Sequence, residues 1–223
     1  MKTFIPIIVT IFLIFSCNNG QDNKVKSKDS VKNTSTKEDP FMSAISIIAI
    51  KGNQLDKTSK IFDAFNYADL HKDRQFTSLD TCIEFLDENY FDYAQRNIAI
   101  RGIYHDNGWT IILDPEMVDM TSDTAIETLS RNLKAAIFTF VAQRTSSTFG
   151  FAKYNPTRQR YFYVTDGQIA ESIGNPLTEE QGLNINQNIF TDDIFELANK
   201  LGIDVEAKHI DSTFVVKELE YKE

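Results

Sequence analysis

The sequence predicts an α+β fold, a largely antiparallel sheet with flanking helices in a single domain, and three observations predict it. Asn107-Gly108 lies between two apolar runs, and both residues tolerate the positive φ that a tight hairpin requires. Four short apolar segments follow one another between residues 135 and 173, separated by turn residues. Stripes of apolar residues at helical spacing occur around these strand signals, and the strands are adjacent often enough to imply hairpins.

Taken in order, Ala44 to Ile50 is a short apolar strand, and helices are expected over Lys57 to Leu70 and Leu79 to Tyr93. In the second helix, Leu79, Cys82, Ile83, Leu86 and Tyr90 share one face, which places Cys82 inside as a small apolar residue. Glu84, Asp87, Glu88 and Asp92 fall on its solvated side. Ile98 to Tyr104 and Trp109 to Leu113 form the hairpin across Asn107-Gly108. A third helix begins near Ser122 or Asp123, where Thr124 and Glu127 have capping-box spacing, and runs to about Asn132. Ala135 to Ala142, Ser147 to Tyr154, Arg160 to Thr165 and Gln168 to Ile173 read as a four-stranded meander with breaks at Asn155-Pro156 and Asp166-Gly167. Phe149, Phe151 and Lys153 alternate with Gly150, Ala152 and Tyr154, the pattern of a sheet with one packed face. Thr191 to Leu201 is a final helix, stopped by Gly202.

The first residues carry a different message. Lys2 precedes an apolar run from Phe4 to Phe15 that ends at Ser16-Cys17, the order of a secretory signal peptide. The run is shorter than the about 20 apolar residues that a spanning helix needs. Ile14-Phe15-Ser16-Cys17 resembles the lipobox of bacterial lipoproteins, in which the cysteine is acylated and becomes the new N-terminus. The resemblance implies a signal peptide over residues 1–16 and a lipidated Cys17. Acyl chains contribute about 0.8 kcal/mol per buried methylene, so a diacyl or triacyl group is a durable membrane anchor. Residues 17–40 are rich in Asn, Ser, Thr, Lys and Asp, too polar to offset their ordering entropy, and read as a tether reaching roughly 25 Å. Residues 41–223 form the globular domain. The expected location is the bacterial cell envelope, periplasmic or surface-facing.

The first 40 residues take six lysines and four acids from the whole, which leaves 17 basic against 28 acidic residues in the domain, a net charge of −11. Neutralisation of nucleic-acid phosphates is therefore not expected. With Cys17 lipidated, Cys82 is the remaining thiol and no internal disulfide can form. A catalytic cysteine needs an electropositive setting, whereas Cys82 has Glu84, Asp87 and Glu88 beside it.

The sequence contains no Gly-rich phosphate loop, HExxH, GxSxG or CxxC, and no cofactor is expected. His105-Asp106 at the hairpin tip has the residue types of a base or a metal ligand, but turn-forming polarity explains it as well. His71 and His209 are distant in sequence. Asp114, Glu116, Asp119 and Asp123 invite a calcium reading, yet they lack EF-hand order. The plainer reading makes Asp114 a strand exit, Asp123 a helix cap, and Glu116 and Asp119 solvated loop residues. Trp109 reads as a core anchor. Arg144, Lys153, Arg158 and Arg160 gather near Tyr154, Tyr161 and Tyr163 in the meander, and arginine and tyrosine are enriched in binding hot spots, which singles out Arg144, Arg158, Arg160 and the three tyrosines. They are the candidate binding surface, for an acidic protein or an anionic glycan, although pairing with acids elsewhere in the domain explains the arginines too.

From Asn107 onward, the features Asn107-Gly108-Trp109, Asp114-Pro115, Tyr161-Phe162-Tyr163-Val164-Thr165-Asp166-Gly167, Gly174-Asn175-Pro176 and Leu201-Gly202-Ile203-Asp204 resemble small bacterial α+β domains of unknown function, some of them near toxin and immunity loci. The resemblance implies a fold and brings no catalytic residue with it. The leading expectation is a noncatalytic envelope lipoprotein that binds a protein partner, with an immunity-type inhibitor as its most specific form. The alternatives are an envelope hydrolase acting on cell-wall or glycan substrate through carboxylates, and a glycan-binding assembly lipoprotein.

Overall fold

The computed structural model describes residues 44–185, 191–205 and 212–222. The expected signal segment, Cys17, the expected tether and His209 lie outside the described residues. Nine strands and four α-helices are formed among those described. In chain order they are β1 (Ala44–Lys51), α1 (Thr58–Ala64), β2 (Tyr67–Phe76), α2 (Leu79–Ala94), β3 (Ile98–Asp106), β4 (Trp109–Asp114), α3 (Asp123–Leu133), β5 (Ile137–Gln143), β6 (Thr148–Tyr154), β7 (Arg158–Thr165), β8 (Gln168–Ile173), α4 (Thr191–Lys200) and β9 (Phe214–Tyr221). The strands make one sheet in the order β2-β9-β3-β4-β1-β5-β6-β7-β8, and every pairing is antiparallel. Among the described residues, no helix is long and apolar enough to cross a membrane.

The β3–β4 hairpin turns where the sequence predicts, with Asn107 and Gly108 at φ 44° and 76°. The meander also forms, and the Asp166-Gly167 turn has φ 50° and 70°. Two expectations are corrected, and one strand was not anticipated. The helix expected to reach Leu70 ends at Ala64, because Asn66 turns left-handed at φ 66° and Tyr67 opens β2 against Tyr221. Strand β9 inserts between β2 and β3, so pairing with residues well over a hundred positions away defines it. The sheet is also packed on both faces. One core joins Ile47, Ile111, Phe140 and Phe151 to Cys82 and Leu86 of α2 and Ile194 and Leu197 of α4. The other joins Ile48, Ile103, Ile112 and Ala152 to Ile61 and Phe62 of α1 and Ile126 and Leu129 of α3. Central strand β1 is accordingly buried at six consecutive positions, with no polar face.

Helix α3 begins at Asp123, but Ser122 makes no side-chain capping bond, and Glu127 accepts instead from the Arg158 backbone N–H at 3.0 Å. Trp109 is buried, edge-on to Phe138 at 5.8 Å, with the Lys51 ammonium 4.2 Å from the centre of its ring. Cys82 is fully buried, and burial pushes its thiol up to about 12.

Candidate functional site

The first polar feature of the α1/α3 side of the sheet is a charged cluster inside it. Arg101, at the middle of β3, is fully buried. Its Nε donates to Asp119 Oδ2 at 2.7 Å and its Nη2 to Asp119 Oδ1 at 3.2 Å. Nη1 donates to Glu116 Oε2 at 2.6 Å and to the Ile100 carbonyl at 3.0 Å, while Nη2 also donates to the Tyr67 hydroxyl at 2.8 Å. These five contacts use all five guanidinium donors, so Arg101 has none left for a ligand. Asp114 Oδ1 lies 3.3 Å from Nη2 and adds charge without a further bond.

Asp114 organises the chain that follows it. Its carboxylate accepts from the backbone N–H groups of Glu116, Met117 and Asp119 at 2.9, 3.1 and 3.0 Å, and from Ser46 Oγ at 3.2 Å. Met117 is held at φ 56°, a left-handed conformation uncommon for a side chain other than Gly, Asn or Asp. Desolvation opposes the charge on Arg101, but Asp114 and Asp119 outweigh it and raise the guanidinium well above its ordinary value. Burial raises the Asp114 carboxyl, against the pull of Arg101. Asp119 and Glu116, expected to be solvated, thus belong to an internal clamp; Asp119 is buried and Glu116 half-buried. Among the described residues, no three His, Cys, Asp or Glu side chains are placed to hold a metal ion.

The clamp fixes the loop from Glu116 to Thr121 beside a groove of about 440 Å³. Met117 and Met120 line its loop side, and Val118, next to them in the chain, is 47% exposed. Val141, Gln143 and Thr148 contribute from β5 and β6, and Tyr161 and Tyr163 of β7 make the opposite wall. The two tyrosine rings lie nearly parallel, 12° apart in plane with centroids 6.1 Å apart. Gly150 makes this wall possible: a Cβ there would stand 2.8 Å from Tyr163 Cδ2 and 2.6 Å from the Phe162 carbonyl oxygen.

The six residues of the expected binding surface do not form one patch. Tyr161, Tyr163 and Arg158 line the groove together. The Arg158 guanidinium stacks 4.6 Å from the centre of the Tyr161 ring and pairs with Asp123 at 2.8 Å. Tyr154 is buried and donates to the same Asp123 at 2.6 Å, so it lies beneath the groove edge. Arg160 is buried on the other face, gripped by Glu180 through Nε at 2.8 Å and Nη2 at 2.9 Å. Arg144 is exposed in the turn between β5 and β6. The acid pairing of Arg158 and Arg160 removes the charge argument for an anionic ligand there.

His105 and Asp106 serve the hairpin. The His105 carbonyl accepts from Ser212 Oγ at 2.6 Å, and Asn107 Nδ2 donates to the Gly202 carbonyl at 2.9 Å just beyond α4. The exposed acids of α2 remain on its solvent side. Sequence reading missed Arg101; the signal available was a lone cation inside the apolar run Ile98 to Tyr104, followed by three acids in the next connection.

Fold and groove together define a nine-stranded antiparallel α+β protein with a cleft on one side of its sheet, lined by methionines and tyrosines together with Glu116, Asp123 and Arg158. No family model matches the chain, and no curated protein or solved structure matches it at a significant level.

Proposed function

We propose that this chain is an envelope lipoprotein, anchored through Cys17, whose globular domain binds a protein partner through the groove between the Glu116–Thr121 loop and β7. One observation carries the reading: a buried clamp with every guanidinium donor engaged fixes a loop whose Met117 and Met120 line the groove with Tyr161 and Tyr163, and whose Val118 is exposed beside them. Methionine adapts to irregular apolar partners, and tyrosine supplies rigid contact area, so the pairing suits macromolecular recognition. Glu116 is paired with Arg101 and Asp123 with Arg158, so the charges at the groove are internally compensated and a neutral contact suits it better than an acidic one. Stoichiometric inhibition of a toxin, as an immunity protein would give, is the most specific form of this function.

The test is capture from native envelope on the tagged full-length chain in detergent, compared with Val118→Asp and Met120→Asp chains of unchanged melting temperature. A protein retained near equal stoichiometry by the native chain and lost from both variants supports the reading. Retention by all three chains, or by none after crosslinking, counts against it.

A further inference from the structure

We propose that the cleft between α1 and α3 binds a phosphate monoester carrying a small apolar group, with the phosphate held by Lys57 and Lys60. This cleft shares no lining residue with the groove beside the Glu116–Thr121 loop, and the inference does not rest on the groove's partner.

Helices α1 and α3 lie over one face of the sheet, in a core that joins Ile61 and Phe62 to Ile126 and Leu129. A cavity of about 480 Å³ lies between them, with Ala64, Leu129 and Leu133 as its apolar lining. Lys57 and Lys60 face it from the α1 side, and Thr128 and Asn132 from α3. Lys57 is aimed from inside the fold. Its Nζ donates to Gln54 Oε1 at 2.8 Å, and Gln54 is buried, with its own Nε2 donating to the Lys51 carbonyl at 3.2 Å. An ammonium has three donors, so two of those on Lys57 remain for a ligand. Among the described residues, the side chains of Lys60, Thr128 and Asn132 have no hydrogen-bond or ion-pair partner.

The lining selects the charge of its occupant. Lysine can only donate, and the Thr128 hydroxyl and Asn132 amide can each turn a donor toward the same point. The one acid in the lining, Asp63, is already engaged by Lys222, and Asp56, next to Lys57 in the chain, pairs with neither lysine. Arg131, in the last turn of α3, and Lys134, its C-cap, offset the negative helix end that an anion here would otherwise meet. Two ammonium groups without a carboxylate partner, in a domain of net −11, match a dianion. The three terminal oxygens of a phosphate monoester accept from all four side chains at once, with the lysines as point charges. Ala64, Leu129 and Leu133 then take the organic group of the ester, the division of labour usual in a small-molecule site.

The probe is phenyl phosphate, titrated by calorimetry onto the full-length chain in detergent, with inorganic phosphate and phenol as its two halves. Phenyl phosphate should saturate one site per chain and bind at least about tenfold more tightly than either half, because each half forgoes the charge or the apolar contact. Lys57→Gln, Lys60→Gln and Asn132→Asp chains of unchanged melting temperature should each weaken it by about tenfold, whereas Val118→Asp, a groove variant, should leave it unchanged. Dihexanoyl phosphatidic acid, the same monoester on a lipid, is titrated in parallel. Tighter binding than phenyl phosphate assigns the site to a lipid headgroup, and weaker binding assigns it to a soluble ester. Equal affinity for inorganic phosphate, which is an adventitious ion only, would overturn the proposal. So would the absence of saturable binding by either ester, retention by both lysine variants, or equal loss with Val118→Asp.

Discussion

Arg101 and Asp119 form a buried, two-pronged ion pair, Nε to Oδ2 at 2.7 Å and Nη2 to Oδ1 at 3.2 Å, linking the middle of β3 to the loop after β4. The Tyr67 hydroxyl, from the edge strand β2, donates to the same Asp119 at 2.7 Å. One carboxylate therefore gathers three parts of the chain. Replacing Arg101 leaves Asp114, Asp119 and Glu116 facing one another without a cation, so Arg101→Met is expected to cost about 3–5 kcal/mol in denaturant unfolding. Arg101→Lys should also destabilise, since an ammonium cannot supply the fork that grips Asp119. The sole tryptophan, Trp109, is buried and reports the transition by its fluorescence. A loss below about 1 kcal/mol for Arg101→Met would show that the clamp contributes little.

The same cluster sets a pH dependence. Burial raises the Asp114 carboxyl, so the folded chain holds that proton more tightly than the unfolded chain does. A raised folded value gives stability that is complete below the unfolded carboxylate range, about 3.9, and is lost as pH rises through the folded value. Relative to Asp114→Asn, which cannot ionise, the native chain should therefore lose stability as pH rises from about 4. Urea midpoints of both chains across that range check the sign, and an advantage of the native chain that grows with pH would refute it.

Gly150 and Tyr163 offer a test of the groove wall. An alanine methyl at position 150 would stand 2.6 Å from the Phe162 carbonyl oxygen and 2.8 Å from the Tyr163 ring. Gly150→Ala should cost about 1–3 kcal/mol, as overpacking does. Tyr163→Ala in that background should recover part of the loss and not all of it, because the backbone carbonyl remains. A double-mutant cycle measures the recovery, and strict additivity would mean that the ring does not crowd Gly150.

Local chemistry accounts for what the sequence discloses. Asn107-Gly108 and Asp166-Gly167 have few conformational choices, so both hairpins were readable from their turns. The stripe Leu79, Cys82, Ile83 and Leu86 disclosed α2 because a helix's packing face recurs within a few residues. Strand β2 was hidden: Tyr67–Phe76 is a mostly exposed edge strand without alternation, and its identity comes from pairing with β9. The site was legible in part for the same reason. Tyr161 and Tyr163 alternate on one strand and share a face by rule, whereas Arg101, Asp114 and Asp119 meet through the β3–β4 pairing and a loop turn that no short window contains.

Cys82 and Cys17 allow one experiment to address both the core and the anchor. The Cys82 thiol lies buried in the core that α2 shares, and burial pushes it up to about 12, so its reactive thiolate is scarce at pH 8. The native chain should give no Cys82 adduct with iodoacetamide at that pH. Unfolding in guanidinium returns the thiol to its ordinary range of about 8.5 and exposes it, so alkylation should then proceed. The chain contains two cysteines in all, and the proposed acylation of Cys17 would remove one of them from the count. Protein isolated from membranes should therefore show one reactive thiol when unfolded, and protein made without residues 1–16 should show two. Two thiols in the membrane-derived chain would exclude acylation of Cys17, and a Cys82 adduct in the native chain would mean that α2 opens from the sheet far more readily than its packing implies.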